Sequence, residues 1–308
     1  MHTPPLEALV TVIVPTIGRP EFIVDTLRSV LAQTYTQLQI LISDNAPTES
    51  TAPLLAKAGI DDARIEVVQR TSRLDFSAHM NACIEQSRGT YLMIVSDDDQ
   101  ITPGYVAEMV ELMTADPEVK VCLGRQVQIN ENDRGLVSAP AARQPQQILA
   151  GIDFLKGTLA RTLNTGVLTY ISMFVRRSEL LDVGGFKDYA DGSHADNFIV
   201  FSLAMRGRVA LCSNLMFYRV YLASFGLRTP FDELLDATRA YTLDVASVLR
   251  QSSIARLERK MLFDMVKTAN TRLLLGRIRR VYRHRLGPPA LFMCILRVLQ
   301  FKFWNVPL

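Results

Sequence analysis

Short apolar runs rich in valine and isoleucine alternate with segments of helical periodicity from Leu9 to about Leu215. Such an alternation is typical of βα units, in which a helix connects each strand to the next strand of a mostly parallel sheet. Six runs are predicted as strands: residues 9–14, 38–42, 64–68, 91–95, 119–123 and 167–175. The chain is therefore predicted to be an α/β protein whose mostly parallel sheet is flanked by helices.

Three helices between these runs are predicted from their apolar stripes and their capping residues. They cover residues 20–32, 76–86 and 103–116. Proline is favoured as a first helical residue, which supports Pro20 and Pro103 as helix starts. Ser77 is the predicted cap of the second helix, and Gly89 stops that helix before the next strand.

The pattern divides the chain of 308 residues into a body and an annex. Residues 1–230 are predicted to form the catalytic domain, and residues 231–308, which have a helical pattern throughout, form a smaller annex. Residues 130–147 are polar and contain two prolines, and this long stretch is predicted to be an active-site flap. The four cysteines have no metal-binding spacing and are expected to be reduced and buried.

Three consecutive aspartates, Asp97, Asp98 and Asp99, follow the predicted strand at 91–95. In an open parallel sheet, ligands bind beyond the carboxyl ends of the strands, where these acids are placed. Adjacent carboxylates repel one another, and Mg²⁺ or Mn²⁺ is the expected partner because such an ion takes oxygen ligands and keeps positions for phosphate oxygens. If the segment is extended, Asp97 and Asp99 point to the same side. A solvated acidic turn is the alternative for a bare triplet.

Several short motifs stand in a fixed order along the chain. They are VIVPT at 12–16 followed by Arg19 and Pro20, QTY at 33–35, SDN at 43–45, and Asn81 with GTY at 89–91 ahead of the aspartate triplet. With these motifs the chain from residue 9 to about 225 resembles the family 2 glycosyltransferases, which have the GT-A fold. The resemblance implies a nucleoside-diphosphate sugar as donor and Mg²⁺ or Mn²⁺ as cofactor.

The same resemblance implies roles for individual residues. Asp99 is the expected metal ligand, and Asp97 or Asp98 is expected near the donor ribose or the water shell of the metal. Asp97 is the second expected ligand because an extended segment would place it on the same side as Asp99. Asp44 is expected to lie against the donor base. The expected donor contacts are Pro15, Thr16, Arg19, Asp44, Arg70, Asn81, Asp97 and Asp98.

A sugar acceptor's hydroxyl is a poor nucleophile until a base withdraws its proton. The GGF segment at 184–186, followed by ADNF at 195–198, resembles the family segment in which an acidic residue opens a helix. This makes Asp196 the expected base and Asp191 the reserve, with His194 as a neighbour. An N-cap of a helix over residues 197–206 is an equally common role for such an aspartate, and both roles are open.

The family often carries YRVH after a later strand, where the histidine completes the metal shell. This chain reads YRVY, ending in Tyr221, so the third protein ligand is left open. Arg219 in this segment either pairs with a phosphate or forms a structural salt bridge.

The charge of the chain is unevenly distributed. Residues 265–308 contain nine basic residues and no acidic one, which leaves 25 basic against 31 acidic residues before them. Residues 289–303 are mostly apolar but shorter than the roughly 20 residues that span a bilayer. A cationic, apolar segment of this kind is predicted to lie on an anionic membrane surface. Packing against the body or against a second subunit, as in a homodimer, is the alternative.

Together these features predict a glycosyltransferase that moves a hexosyl or deoxyhexosyl group to an acceptor hydroxyl. The resemblance implies inversion at the anomeric carbon. The expected acceptor is a lipid-linked saccharide of surface-polysaccharide synthesis. Because the N-terminus lacks a basic and apolar leader, the enzyme is expected in the cytoplasm, on the inner face of the membrane. A GxGxxG fingerprint, a P-loop and nucleic-acid motifs do not occur, so neither a dinucleotide cofactor nor nucleic acid is expected. A nucleotidyltransferase and a catalytically silent sugar-nucleotide binding protein are the alternatives.

Overall fold

A computed structural model describes residues 8–18, 20–47, 51–137, 144–163, 173–189, 192–220, 229–282 and 286–308. The strands are β1 (Val10–Thr16), β2 (Leu38–Asp44), β3 (Ile65–Gln69), β4 (Tyr91–Ile94), β5 (Gln100–Ile101), β6 (Val119–Ile129), β7 (Gln147–Ala150), β8 (Met173–Arg176) and β9 (Arg208–Arg219). The helices are α1 (Pro20–Leu31), α2 (Thr51–Lys57), α3 (Phe76–Gln86), α4 (Tyr105–Ala115), α5 (Gly151–Ala160), α6 (Arg177–Asp182), α7 (Ala195–Ala204), α8 (Phe231–Gln251), α9 (Arg256–Arg280) and α10 (Pro288–Phe303).

All nine strands belong to one sheet, in the order β3-β2-β1-β4-β8-β6-β9-β5, with β7 also paired to β9. The first four strands in this order are parallel, and so are β6 and β9. β8 runs antiparallel to β4 and β6, and β5 and β7 run antiparallel to β9. The predicted mostly parallel α/β sheet is confirmed. The antiparallel β8 is the end of the predicted run at 167–175, whose first six residues lie outside the described part of the chain.

Each face of the sheet is covered by its own apolar cluster. Val12 and Val14 of β1 face one cluster, with α1 and α4, while Ile13 faces the other, with α3, α5 and α7. β2 and β4 are buried along their whole length, which is why apolar residues dominate them in the sequence. α7 is buried from Phe198 to Ala204 and therefore lies in the core.

Two helix starts differ from the sequence prediction. α3 covers the predicted residues, but its N-cap is Asp75, whose carboxylate accepts a hydrogen bond from the Ala78 N–H at 2.8 Å. Ser77, the predicted cap, instead donates to the Lys187 carbonyl, so the cap prediction was wrong by two residues. α4 begins at Tyr105, two residues after Pro103.

Gly89 is not the residue that ends α3, because the C-cap of this helix is Ser87. A Cβ at position 89 would lie 2.4 Å from the Tyr91 carbonyl oxygen and 2.5 Å from the Thr11 nitrogen. Only glycine fits where the chain passes β1 to enter β4.

The annex consists of α8, α9 and α10, and residues 229–282 and 286–308 contain no strand, as predicted. Tyr241, Val245 and Leu249 of α8 belong to the same apolar cluster as α7, so the annex packs on the α/β body. The N-terminal turns of α8 share a separate cluster with α9 and α10. The four cysteines are buried free thiols, which confirms that prediction. Within the described ranges, no helix has both the length and the hydropathy needed to cross a bilayer.

Candidate active site

The carboxyl ends of β1, β2 and β4 meet at one edge of the sheet. Thr16 at the end of β1 is opposite Asp44 at the end of β2. The Thr16 hydroxyl donates to the Asp97 carboxylate at 2.6 Å, across to the segment that follows β4. The structure therefore brings together the aspartate triplet and the end of the VIVPT motif, at the place where parallel sheets bind ligands.

The segment from Ser96 to Asp99, which we name the acidic turn, is a tight turn. The Asp99 N–H donates to the Ser96 carbonyl at 3.0 Å. The condition of an extended segment, on which the same-side geometry of Asp97 and Asp99 depended, is therefore not met. The side chains of Asp97, Asp98 and Asp99 are 0%, 8% and 3% exposed, so three carboxyl groups are nearly withdrawn from water. Burial on this scale requires compensating polar partners.

Arg219 of β9 donates one hydrogen bond to a carboxylate of the acidic turn and one to its backbone. Its backbone N–H donates to the Asp99 carboxylate at 2.7 Å, and its guanidinium Nε donates to the Asp98 carbonyl at 2.9 Å. The side chain is buried and lies over the Phe22 ring at 4.5 Å, and this burial lowers the pKa of Arg219. The guanidinium thus hydrogen-bonds to the Asp98 backbone carbonyl, and the Asp99 carboxylate is held by the Arg219 backbone N–H. The sequence had left a salt bridge or a phosphate contact open for Arg219.

The first part of the predicted flap, residues 130–137, lies beside the acidic turn, and we name it the strap. Arg219 donates to the carbonyls of Asn130 and Asp133 in this strap. The Gly135 N–H donates to the Asp25 carboxylate of α1 at 2.9 Å. Gln100, directly after the acidic turn, donates to the Gly135 carbonyl and accepts from the Val137 N–H. The strap is thus tied to three elements around the site, and residues 138–143 of the predicted flap lie outside the described ranges.

Asp44 is fully buried and holds the chain that enters α2. One carboxylate oxygen accepts from both the N–H and the hydroxyl of Thr51, at 2.9 and 2.7 Å. The other accepts from the Ala46 N–H at 3.0 Å. These contacts fix both ends of the loop after β2, and the contact with the donor base stays a prediction.

Arg70 and His79 converge on Ser43, the residue before Asp44. The Arg70 guanidinium donates to the Ser43 hydroxyl at 3.1 Å and to the Gln86 side chain at 2.9 Å. The His79 Nε2 lies 2.8 Å from the same hydroxyl. Burial, and next the charge of Arg70, lower the pKa of His79 to about 4. The sequence did not single out His79, because its partner is 36 residues away and no local pattern marks it.

Both the nitrogen and the oxygen of the Asn81 side-chain amide form hydrogen bonds with the GGF segment. It donates to the Phe186 carbonyl and accepts from the Phe186 N–H, both at 2.9 Å. A Cβ on Gly185 would lie 2.5 Å from the Asn81 oxygen, so this approach requires glycine. Asn81 therefore anchors the segment that leads to α7.

Asp196 is the second residue of α7 and is partly buried. Its carboxylate accepts from the Asn197 N–H at 2.8 Å. The helix begins one residue before Asp196 and its N-cap is His194, so the interpretation of Asp196 as the cap was wrong by two positions. Asp191, the reserve base, lies outside the described residues, as do Arg19 and Tyr221.

The sequence profile described as glycosyl transferase family 2 matches residues 11–182, more than half of the chain. This chain belongs to glycosyltransferase family 2. The matched region contains β1 to β4, the acidic turn and the Asn81 anchor.

Curated relatives of this family 2 chain include bacterial glycosyltransferases. Glycosyltransferase GlyG of Streptococcus pneumoniae is 21% identical over 128 residues, which are 42% of either chain. The GalNAc(5)-diNAcBac-PP-undecaprenol beta-1,3-glucosyltransferase of Campylobacter jejuni is 24% identical over 102 residues, which are 33% of either chain. The chain thus matches less than half the length of these relatives.

Solved structures match the chain over almost its entire length. S. aureus TarS 1-349 in complex with UDP-GlcNAc gives a TM-score of 0.68 at 13% identity, covering 96% of this chain and 81% of TarS. The mannosyltransferase PcManGT from Pyrobaculum calidifontis, in complex with GDP-Man and Mn2+, gives 0.59 at 18% identity, covering 96% and 81%. At these identities the likeness establishes the fold, and the predicted GT-A fold is confirmed.

The acidic turn offers a metal ion oxygen ligands only. Among the described residues, no three histidine, cysteine, aspartate or glutamate side chains converge as a cage. An ion bound there would take one or two carboxylates and complete its shell with phosphate oxygens and water, which is how Mg²⁺ is usually held. The donor set of this family 2 site fits a hard divalent cation in that way.

Two buried histidines make the stability of the fold depend on pH. Burial, and next the charge of Arg277, also lower the pKa of His194 to about 4. Both pKa values lie below the ordinary 6.5, so the unfolded chain binds more protons between pH 6.5 and 4. The free energy of unfolding is therefore complete above pH 6.5 and falls as the pH drops toward 4, by up to roughly 1.4 kcal/mol per pH unit for each histidine.

We expect urea unfolding of the His79→Gln variant to show a shallower loss of stability than the parent chain between pH 6.5 and 4.5. Measurement at pH 7.5 separates the direct cost of the substitution from its effect on the slope. Equal slopes for the two chains would contradict a neutral, buried His79.

Proposed function

We propose that this family 2 chain is an inverting glycosyltransferase, which moves a sugar from a nucleoside diphosphate to an acceptor hydroxyl. The observation that carries the proposal is the acidic turn, held at the carboxyl end of β4 by Thr16 and Arg219. The partly buried Asp196 at the start of α7 supplies the second requirement, a base. Single displacement with inversion at the anomeric carbon is the part of the proposal that rests on the resemblance to the family.

We assign the metal ligands to Asp99 and Asp97. Mg²⁺ or Mn²⁺ held there supplies positive charge that stabilises the departing diphosphate. Arg219 keeps the Asp99 carboxylate in place and offsets part of the negative charge of the turn. The Mn2+ in the complex of PcManGT supports a divalent ion in a protein of the same fold.

The donor site is proposed around the same sheet edge. Pro15 and Thr16 are proposed to line it from β1, and Asp97 and Asp98 from the acidic turn. Arg19, which lies outside the described residues, is a further proposed donor contact. Asp44, Arg70 and Asn81 shape its walls through the contacts described above, with Asp44 beside the nucleobase. The UDP-GlcNAc bound to TarS and the GDP-Man bound to PcManGT support a nucleoside-diphosphate sugar as the donor.

Asp196 is proposed to accept the proton of the attacking hydroxyl, with Asp191 as the alternative base. α7 is buried after its first turn, so the carboxylate of Asp196 projects from a rigid element. A fixed base is what proton transfer at the moment of attack requires. The moved group is proposed to be hexosyl or deoxyhexosyl.

Measurements of nucleotide binding and of sugar transfer distinguish the role of Asp99 from that of Asp196. We expect Asp99→Ala to weaken Mn²⁺-dependent nucleoside-diphosphate binding by at least about 10-fold, close to 1.4 kcal/mol, in titration calorimetry. Asp196→Asn should keep that binding and lower the transfer rate by at least about 100-fold. Asp153→Asn, at an exposed position of α5, is the control for loss of a negative charge.

The outcomes also decide between the competing functions. If the protein binds nucleotide with Mn²⁺ but transfers no sugar from any donor, it is a silent binding protein. If it joins a nucleoside triphosphate to a sugar phosphate, it is a nucleotidyltransferase. Normal transfer by Asp196→Asn would remove Asp196 as the base.

We propose further that the acceptor is a lipid-linked saccharide of surface-polysaccharide synthesis and that α10 lies on the anionic inner face of the cytoplasmic membrane. The polyprenol-linked acceptor in the name of the Campylobacter jejuni relative supports this class. α10 exposes large apolar side chains at the spacing of one helical face: Phe292, Leu296, Leu299 and Phe303. Its other face packs Cys294, Val298 and Phe301 against α8 and α9.

Positive charge accompanies this apolar face. Arg279 and Arg280 are exposed at the end of α9, and Lys302 is exposed at the end of α10. Because residues 265–308 contain no acid, these cations have no local acidic neighbours in sequence. Apolar insertion together with cationic attraction is the physical basis of binding to anionic leaflets.

The double variant Phe292→Ser, Phe303→Ser should lose co-sedimentation with vesicles that contain anionic lipid, whereas the parent chain pellets with them. Leu257→Ser is the matched control, since Leu257 of α9 is 80% exposed but lies outside the α10 face. Neutral vesicles should bind the parent chain more weakly. Unchanged pelleting of the double variant, or a dimer that only the parent chain forms, would contradict the membrane role in favour of packing or self-association.

A further inference from the structure

Four aromatic side chains form a buried cluster behind the N-terminus of α7. His194 stacks on Tyr241 of α8 with ring centroids 4.7 Å apart and an angle of 3° between the planes. Tyr189 contacts His194, Phe198 and Tyr241 edge-on, at 6.5, 6.3 and 6.1 Å. We name these four residues the aromatic cluster. It joins the chain after the GGF segment, the start of α7 and the middle of α8.

Thr238 of α8 fixes the orientation of the His194 ring. The Thr238 hydroxyl donates its single proton to the Leu234 carbonyl at 2.7 Å. The His194 Nε2, 2.9 Å from the same oxygen, must therefore be the donor of that hydrogen bond. Because burial lowers the pKa of His194 to about 4, the ring is neutral at pH 7 and carries its proton on Nε2. One tautomer in one orientation is thus selected by α8.

His194 is also the residue from which α7 starts. Its carbonyl accepts the Phe198 N–H at 2.9 Å, and the Ala195 N–H donates to the Gly192 carbonyl at 3.1 Å. Asp196 is two residues further along the same turn. Burial, and next the charge of the Asp196 carboxylate, raise the pKa of Tyr241.

We propose that His194, which hydrogen-bonds to Thr238 and stacks on Tyr241, is a positioning residue for Asp196. Through these two contacts, α8 of the annex determines the position of the base. The inference rests on the proposed function, because it assigns Asp196 the role of base. The flat ring fills the space over Tyr241, its N–H reaches Thr238, and its lack of charge avoids the cost of burying an ion. A base displaced by about 1 Å loses roughly 100-fold in rate, so small movements of this turn matter.

The chain offers a matched pair of threonines on α8 for the test. Thr238 and Thr242 are both fully buried, and both donate to a carbonyl one turn earlier. Thr238 faces His194, whereas the Thr242 hydroxyl accepts from Asn270 of α9 at 3.1 Å. Replacing either threonine with valine removes one buried hydrogen-bonding hydroxyl, but only the change at Thr238 removes the hydrogen bond to His194.

We expect Thr238→Val and His194→Ala to lower kcat by about 10-fold or more while the KM for the donor and the binding of nucleoside diphosphate with Mn²⁺ stay within about 2-fold. Thr242→Val should lower the unfolding temperature about as much as Thr238→Val and leave kcat unchanged. Thr238→Ser and His194→Gln, which retain a hydrogen-bonding group, should recover most of the lost kcat.

The possible results separate this inference from the proposed function. If Asp196→Asn is inactive but Thr238→Val keeps the parent kcat, the positioning role is refuted and the transferase role stands. If Thr242→Val loses as much kcat as Thr238→Val, the effect is one of stability and the positioning role is likewise refuted. If Asp196→Asn transfers sugar at the parent rate, the assignment of the base fails, and the positioning role fails with it.

Discussion

The concentration of three buried carboxyl groups in one turn is the constraint on which the rest of the site depends. Side chains of this kind do not stay out of water without partners, and each partner at the acidic turn comes from a different element. Thr16 arrives from the end of β1, and Arg219 arrives from β9, 120 residues away in sequence. The acidic turn therefore depends on the order of the strands, because that order brings the ends of β1 and β9 to the same edge of the sheet.

Arg219 links the acidic turn to its surroundings. The same guanidinium that contacts the Asp98 carbonyl also holds the strap and lies over Phe22 of α1. Arg134 of the strap lies over the same ring, at 4.4 Å, so one phenyl group receives two cations. The wall of the site beside the turn is thus a continuous set of contacts that joins the strap, α1 and β9.

Local sequence patterns predicted the parts of the fold that are set locally. Apolar residues dominate buried parallel strands, so the bounds of β1, β2 and β4 were predicted to within two residues. The elements that were not predicted are β5, β7, β9, α2, α5 and α6. β5 and β7 are two and four residues long and are defined by their pairing with β9 rather than by composition. In the site, the grouping of Thr16 with the aspartate triplet follows from strand order and was predictable. The inward contacts of Arg70 and Asn81 were not, since their partners are 27 and 105 residues away.

The central claim is that the acidic turn holds a divalent ion against the donor diphosphate. Anomalous diffraction from crystals grown with Mn²⁺ and a nucleoside diphosphate tests this most directly. We predict a manganese peak within coordination distance of the Asp99 carboxylate, a diphosphate on its outer side, and Arg219 still bonded to Asp98 and Asp99. Manganese and nucleotide bound elsewhere on the protein, with the acidic turn in contact with neither, would contradict the account.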